Sequence, residues 1–100
     1  MILFEWDERK AAANRRKHGI SFENAIEAFD DPGSVSEPDR IVDGELRWQT
    51  IGLVKGAILL IVAHTFSEEG QDEIIRIISA RRADRMEHIR YGQNRQKDSW

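Results

Sequence analysis

Three short stretches of this chain place side by side the residue types that handle phosphate. Lys17-His18-Gly19 sets an ammonium and an imidazole just before a glycine suited to a helix end. His18 can then act as general base or acid near neutrality while Lys17 offsets phosphate charge. The same arrangement also suits simple capping, because cations stabilise a helix C-terminus. Arg76 shares a strand face with Ile74 and Ile78, so its guanidinium needs a carboxylate, a backbone acceptor or a bound phosphate. Arg81-Arg82 follow, and the i, i+4, i+7 spacing of Arg81, Arg85 and His88 predicts one shared helix face. His64 shares a face with Leu60, Val62 and Phe66. That setting suits a hydrogen-bonded core histidine, with a role at a site as the second reading.

Other chemistries lack their residues. The chain has no cysteine and three scattered histidines, with no His-x-x-x-His and no regular acidic loop, so disulfides, thiol catalysis and a dedicated metal site are not expected. Neither a glycine-rich phosphate loop nor a Gly-x-Ser-x-Gly elbow occurs. RNA cleavage fits what remains, because the substrate supplies its own nucleophile. A base takes the 2′-hydroxyl proton, cations stabilise the pentavalent phosphorus, and an acid protonates the leaving oxygen. The rival reading is a non-catalytic binding module whose basic faces engage an acidic partner protein or nucleic acid.

Positioning these groups falls to a predictable set of elements. Residues 2–6 are apolar enough for a strand, and Asp7 is placed to cap a helix ending at Gly19. Ser21 can cap a second helix, in which Phe22, Ile26 and Phe29 recur at i, i+4 and i+7 before Asp31-Pro32-Gly33 stops it. Residues 46–54, 58–66 and 73–80 read as three antiparallel strands, with 35–42 as an outer strand demoted by Pro38. Alternation turns Trp48 and Thr50 away from Arg47, Gln49 and Ile51. Residues 81–92 return to a helical pattern, and 92–100 read as a frayed polar tail. The expectation is one α+β domain over residues 1–100: a small antiparallel sheet with two N-terminal helices and one C-terminal helix.

Charge is segregated along this chain. Residues 9–18 hold five Lys or Arg and no acid, 76–97 hold seven against two, and 23–45 hold eight acids and one Arg. The formal charge of −3 therefore conceals local fields that a polyanion can sense. With 40% hydrophobic residues the chain can build one modest core. No apolar run suits a signal peptide or a membrane span, which points to a cytoplasmic protein.

The ordered strings of the sequence resemble one family. Phe4-Glu5-Trp6-Asp7, Lys10, Asn14, Lys17-His18-Gly19-Ile20-Ser21-Phe22 and Phe29-Asp30-Asp31-Pro32 are similar to the BrnT toxins of type II toxin-antitoxin systems. Arg47-Trp48, His64-Thr65 and Ile78-Ser79-Ala80-Arg81-Arg82-Ala83 continue the likeness, which covers residues 4–91. It implies a RelE-like ribonuclease that inhibits translation and needs no cofactor. A BrnA-like antitoxin is implied as partner, with RNA as substrate and DNA met only through the antitoxin. Carried over residue by residue, the family's basic positions match Lys17, His18, Arg47, Arg76, Arg81 and Arg82, and the expectation is that Lys17 or His18 serves as base while Arg76 and Arg81 stabilise the phosphorane. Arg47 and Arg82 hold flanking phosphates, and Trp48 and His64 join the substrate-binding set, Trp48 either stacking on a base or packing in the core. Departures from the family pattern are Asn24, Phe66-Ser67 and Asp84.

Overall fold

A computed structural model of the chain describes residues 1–98. Five strands, β1 (Ile2–Glu5), β2 (Val35–Val42), β3 (Glu45–Val54), β4 (Ile58–Glu69) and β5 (Asp72–Arg82), form one sheet in the order β1-β5-β4-β3-β2. Strands β2 to β5 are an antiparallel meander, as β-branched runs separated by tight turns require. The short β1 differs from the expected all-antiparallel sheet and pairs parallel to β5. Its return connection carries α1 (Glu8–His18), α2 (Phe22–Ala25) and a 3₁₀ helix (Ile26–Asp30).

Local chemistry sets the helix ends. Asp7 accepts from the amides of Arg9 and Lys10, and Gly19 closes α1 in the left-handed region at φ 73°. Ser21 accepts from the amide of Asn24, which starts α2. The predicted second helix keeps its apolar face but tightens to 3₁₀ winding after Ala25. Ala28 there presses on β3, where a Cβ on Gly52 would sit 2.2 Å from the Ala28 carbonyl oxygen. Only glycine admits that approach.

Two cores lie on opposite faces of the sheet. Phe22, Ala25 and Ala28 pack with Leu60, Val62, Ile75, Ile77 and Ala80 on the first face. Ile51, Leu59 and Ile61 pack with Tyr91 on the second, which α3 (Arg85–Asp98) crosses. Two expectations change here. Arg81 and Arg82 belong to β5, paired with Ile61 and Leu60, and Ala83 still donates to the Leu59 carbonyl. The long β4 thus holds this segment in the ladder, so Arg81 does not share a helix face with Arg85 and His88. The last helix also runs beyond Gly92 to Asp98, while residues 99 and 100 of the expected tail lie outside the described residues.

Asn14 locks α1 onto the first face. Its buried amide donates to the carbonyls of Ile20 and Ala80 and accepts from the Ala80 amide, at 2.9 to 3.0 Å. Asn14→Ala strands three backbone groups away from water, and a loss of about 2 to 3 kcal/mol is expected in urea denaturation.

Candidate functional site

Strict alternation would put Arg76 and Arg81 on opposite faces of β5. Instead, Ala63 pairs with Ser79 and His64 with Ile77, so Ile78 is an extra residue without a partner on β4. This bulge resets the alternation. Ile75, Ile77 and Ala80 all enter the first core, while Arg76 and Arg81, opposite Thr65 and Ile61, turn to the second face. Arg47 and Glu45 share that face through the parity of β3 with Ile51.

Two arginines there converge on one carboxylate. Arg76 Nη2 donates to Glu45 Oε1 at 2.6 Å, and Arg47 Nε stands 3.9 Å from the same oxygen. Arg47 Nε is buried and makes no hydrogen bond among the described residues. One carboxylate thus serves two guanidiniums, leaving Arg47 Nε with an unused donor on a half-exposed surface. Such a surface suits a phosphodiester, whose oxygens accept from guanidinium in paired geometry. Glu45 was not singled out by sequence reading. Its i, i+2 spacing to Arg47 at the start of a strand was the available signal.

Arg81 is committed elsewhere. Its two terminal nitrogens donate to Glu87 of α3 at 2.8 and 2.9 Å. Glu87 also accepts from the amide of Asp84, whose side chain accepts from the Glu87 amide, so Asp84 and Glu87 form a reciprocal capping box. The hydrogen bond from Arg81 holds the Glu87 carboxyl below its usual range, against the opposing effect of burial. Arg81 therefore fixes the start of α3 beside the arginine pair.

Trp48 and His64 face the other way. They oppose each other across β3 and β4 and line a cavity of about 280 Å³ with Phe29, Ser36, Phe66 and Ile75. His64 is buried, with the Phe29 ring edge-on at 5.0 Å. The Thr65 carbonyl can only accept, so Nδ1 of His64 donates to it. Nε2 then accepts from the Thr50 hydroxyl at 2.7 Å, and Ser36 donates to Thr50 at 2.7 Å. Lys17 and His18 sit at the end of α1, exposed and half-buried. That helix is bonded through Asn14 to the first face, so the structure does not bring Lys17 and His18 to Arg47 and Arg76. Arg82, opposite Leu60, also belongs to the first face. Among the described residues no three His, Asp or Glu side chains converge on a point that could hold a metal ion.

Comparison with known proteins gives this geometry a context. Residues 6–87 match the family model for the ribonuclease toxin, BrnT, of type II toxin-antitoxin systems. The fold is similar to the 1.1 Å crystal structure of the Brucella abortus ribonuclease toxin, BrnT, with a TM-score of 0.62 and 26% identity, covering 85% of this chain and 99% of that one. No curated protein matches the chain.

Burial lowers the His64 pKa below its usual 6.5, opposed in part by the hydrogen bond to Thr65. The folded value lies below the unfolded one, so the unfolded chain takes up the proton first. The contribution is whole above pH 6.5 and is lost as pH falls through the lowered value. Glu87 adds a second loss of the same sign below its usual 4.5. The urea midpoint is expected to fall from about pH 7 to about pH 5, and His64→Gln to flatten that slope.

Proposed function

Because the chain belongs to the BrnT family of ribonuclease toxins of type II toxin-antitoxin systems, we propose that it is a metal-independent endoribonuclease with a RelE-like fold. It acts in the cytoplasm to block translation and is neutralised by a BrnA-like antitoxin. Among the described residues no helix is long and apolar enough to cross a membrane, which accords with that setting. The observation that carries the reading is the convergence of Arg47 and Arg76 on Glu45 over an open sheet face.

In this proposal the scissile phosphate displaces part of the Arg76–Glu45 contact. Arg76 and Arg47 then bind the non-bridging oxygens, and their charge counts most when the phosphorane gathers negative charge. Glu45, released from its partner yet held beside it, takes the proton of the 2′-hydroxyl. The oxygen so freed attacks the adjacent phosphorus to form a 2′,3′-cyclic phosphate and expels the 5′-oxygen of the next nucleotide, which takes a proton from water while Glu45 returns its own to solvent. A carboxylate suits the base role because its oxygens accept a proton and its second oxygen can keep a guanidinium contact. Arg81 acts as a positioning residue through Glu87 and α3, while Lys17, His18 and Arg82, on the other side of the sheet, act only through long-range attraction of the polyanion.

Cleavage of a mixed-sequence RNA with chelator present tests this reading. Arg76→Ala is expected to slow cleavage by about 10²-fold or more, comparable to removal of one oxyanion donor, and Glu45→Gln by a similar factor with the fold retained. Lys17→Ala and His18→Ala are expected to change the rate only a few-fold, through weaker electrostatic attraction. Full activity in Arg76→Ala, or activity that requires added metal, would refute the proposal.

A further inference from the structure

The aromatic cavity on the first face is not used by the proposed chemistry, and its surroundings suit a different ligand. We propose that it is the anchor pocket for the antitoxin, taking one apolar side chain from a basic segment of that protein. This inference rests on the toxin-antitoxin reading above.

The lining argues for an apolar occupant. Phe29, Trp48, Phe66 and Ile75 supply the walls, and the polar residues are His64 and Ser36, with the Trp48 indole N–H as a further donor. Both have committed their donors, His64 to Thr65 and Ser36 to Thr50. A nucleobase would bury an edge of several donors and acceptors in a lining that is mostly apolar, at a cost that an aliphatic or aromatic side chain avoids. The volume of about 280 Å³ accommodates one such side chain. Phe66 is 41% exposed at the mouth, and Ile2, 53% exposed and paired with Glu73, extends the apolar lip.

The rim argues for a basic one. Two residues beyond the Phe66–Ile75 pair, Glu68 and Glu73 stand directly opposite each other, and alternation places both on the cavity's face. Like charges at that position oppose sheet formation. Neither carboxylate makes an ion pair or hydrogen bond among the described residues. Phe29 belongs to the 3₁₀ helix that also carries Glu27 and Asp30. An RNA strand would meet this field with its own phosphates, whereas Lys or Arg beside an apolar anchor would relieve the Glu68–Glu73 repulsion. The arginine face and this cavity, with its Glu68–Glu73 rim, thus take different partners, RNA on the one and the antitoxin on the other.

The test measures both activities on the same variants. The purified cognate antitoxin is titrated against wild type, Phe66→Ala and the double variant Glu68→Lys with Glu73→Lys, and RNA cleavage by each free toxin is followed in parallel. Phe66→Ala is expected to weaken antitoxin binding about tenfold or more, and the double variant to weaken it comparably and remove its salt dependence. Cleavage by both should stay within about twofold of wild type, because the arginine face is untouched. Unchanged antitoxin affinity in both variants overturns the pocket assignment while leaving the ribonuclease reading intact. Loss of cleavage with antitoxin binding retained assigns the cavity to RNA and overturns it as well. A shift in the toxin's own sedimentation confined to Phe66→Ala assigns it to self-association and does the same. Absence of cleavage and of antitoxin binding in folded wild type overturns the functional reading itself.

Discussion

A single extra residue in β5 decides which way every later side chain of that strand points. With Ile78 outside the ladder, Ile75, Ile77 and Ala80 can all enter one core although their spacing mixes even and odd steps. The same shift sends both Arg76 and Arg81 to the other face. Ala80 then presents its backbone to Asn14, which fastens α1, and Arg81 meets Glu87, which fastens the start of α3. Removing the bulge would turn either the first core or the arginines to the wrong side, so packing and site geometry depend on one local irregularity.

The sheet that results has two chemically different faces. One carries N-terminal helices over a tightly packed core in which Gly52 lets the Ala28 backbone approach β3, and it leaves an uncovered aromatic cavity at the far end. The other is only partly covered by α3, through Tyr91 against Ile51, Leu59 and Ile61. Arg47, Arg76 and Glu45 lie on this half-open face. Asp31 links the two sides: its carboxylate accepts from the Leu53 amide at 2.8 Å and from the Tyr91 hydroxyl at 2.5 Å. The C-terminal helix is therefore held at its start by an ion pair and further along by a hydrogen bond to the loop after the 3₁₀ helix.

Much of this was legible in the residues. Asp7, Gly19 and Ser21 mark helix ends because capping depends on neighbours a few positions away, and the β-branched runs mark strands for the same local reason. Pro38 correctly sent β2 to the edge, where it sits with a register shift between Pro38 and Arg40. The parallel pairing of β1 with β5 was not legible, because the partners lie some seventy positions apart. Nor was the committed state of Arg81. Its spacing to Arg85 and His88 fits a helix, but the length of β4 keeps it in the sheet.

By itself the sequence determined the element types, the segregated charge, the membership of the BrnT family and the need for Arg76 to find a hydrogen-bonding partner. These rest on short-range spacing, composition and ordered motifs, which require no knowledge of distant contacts. Only the tertiary structure decided which basic residues share a face. The two basic stretches look equivalent along the chain, yet α1 carries Lys17 and His18 on one side of the sheet while the Ile78 bulge turns Arg76 and Arg81 to the other. The partner of Arg76 proved to be Glu45, thirty-one positions away. That pairing arises from strand order and register, which are set by burying two cores at once rather than by any local preference of the residues involved.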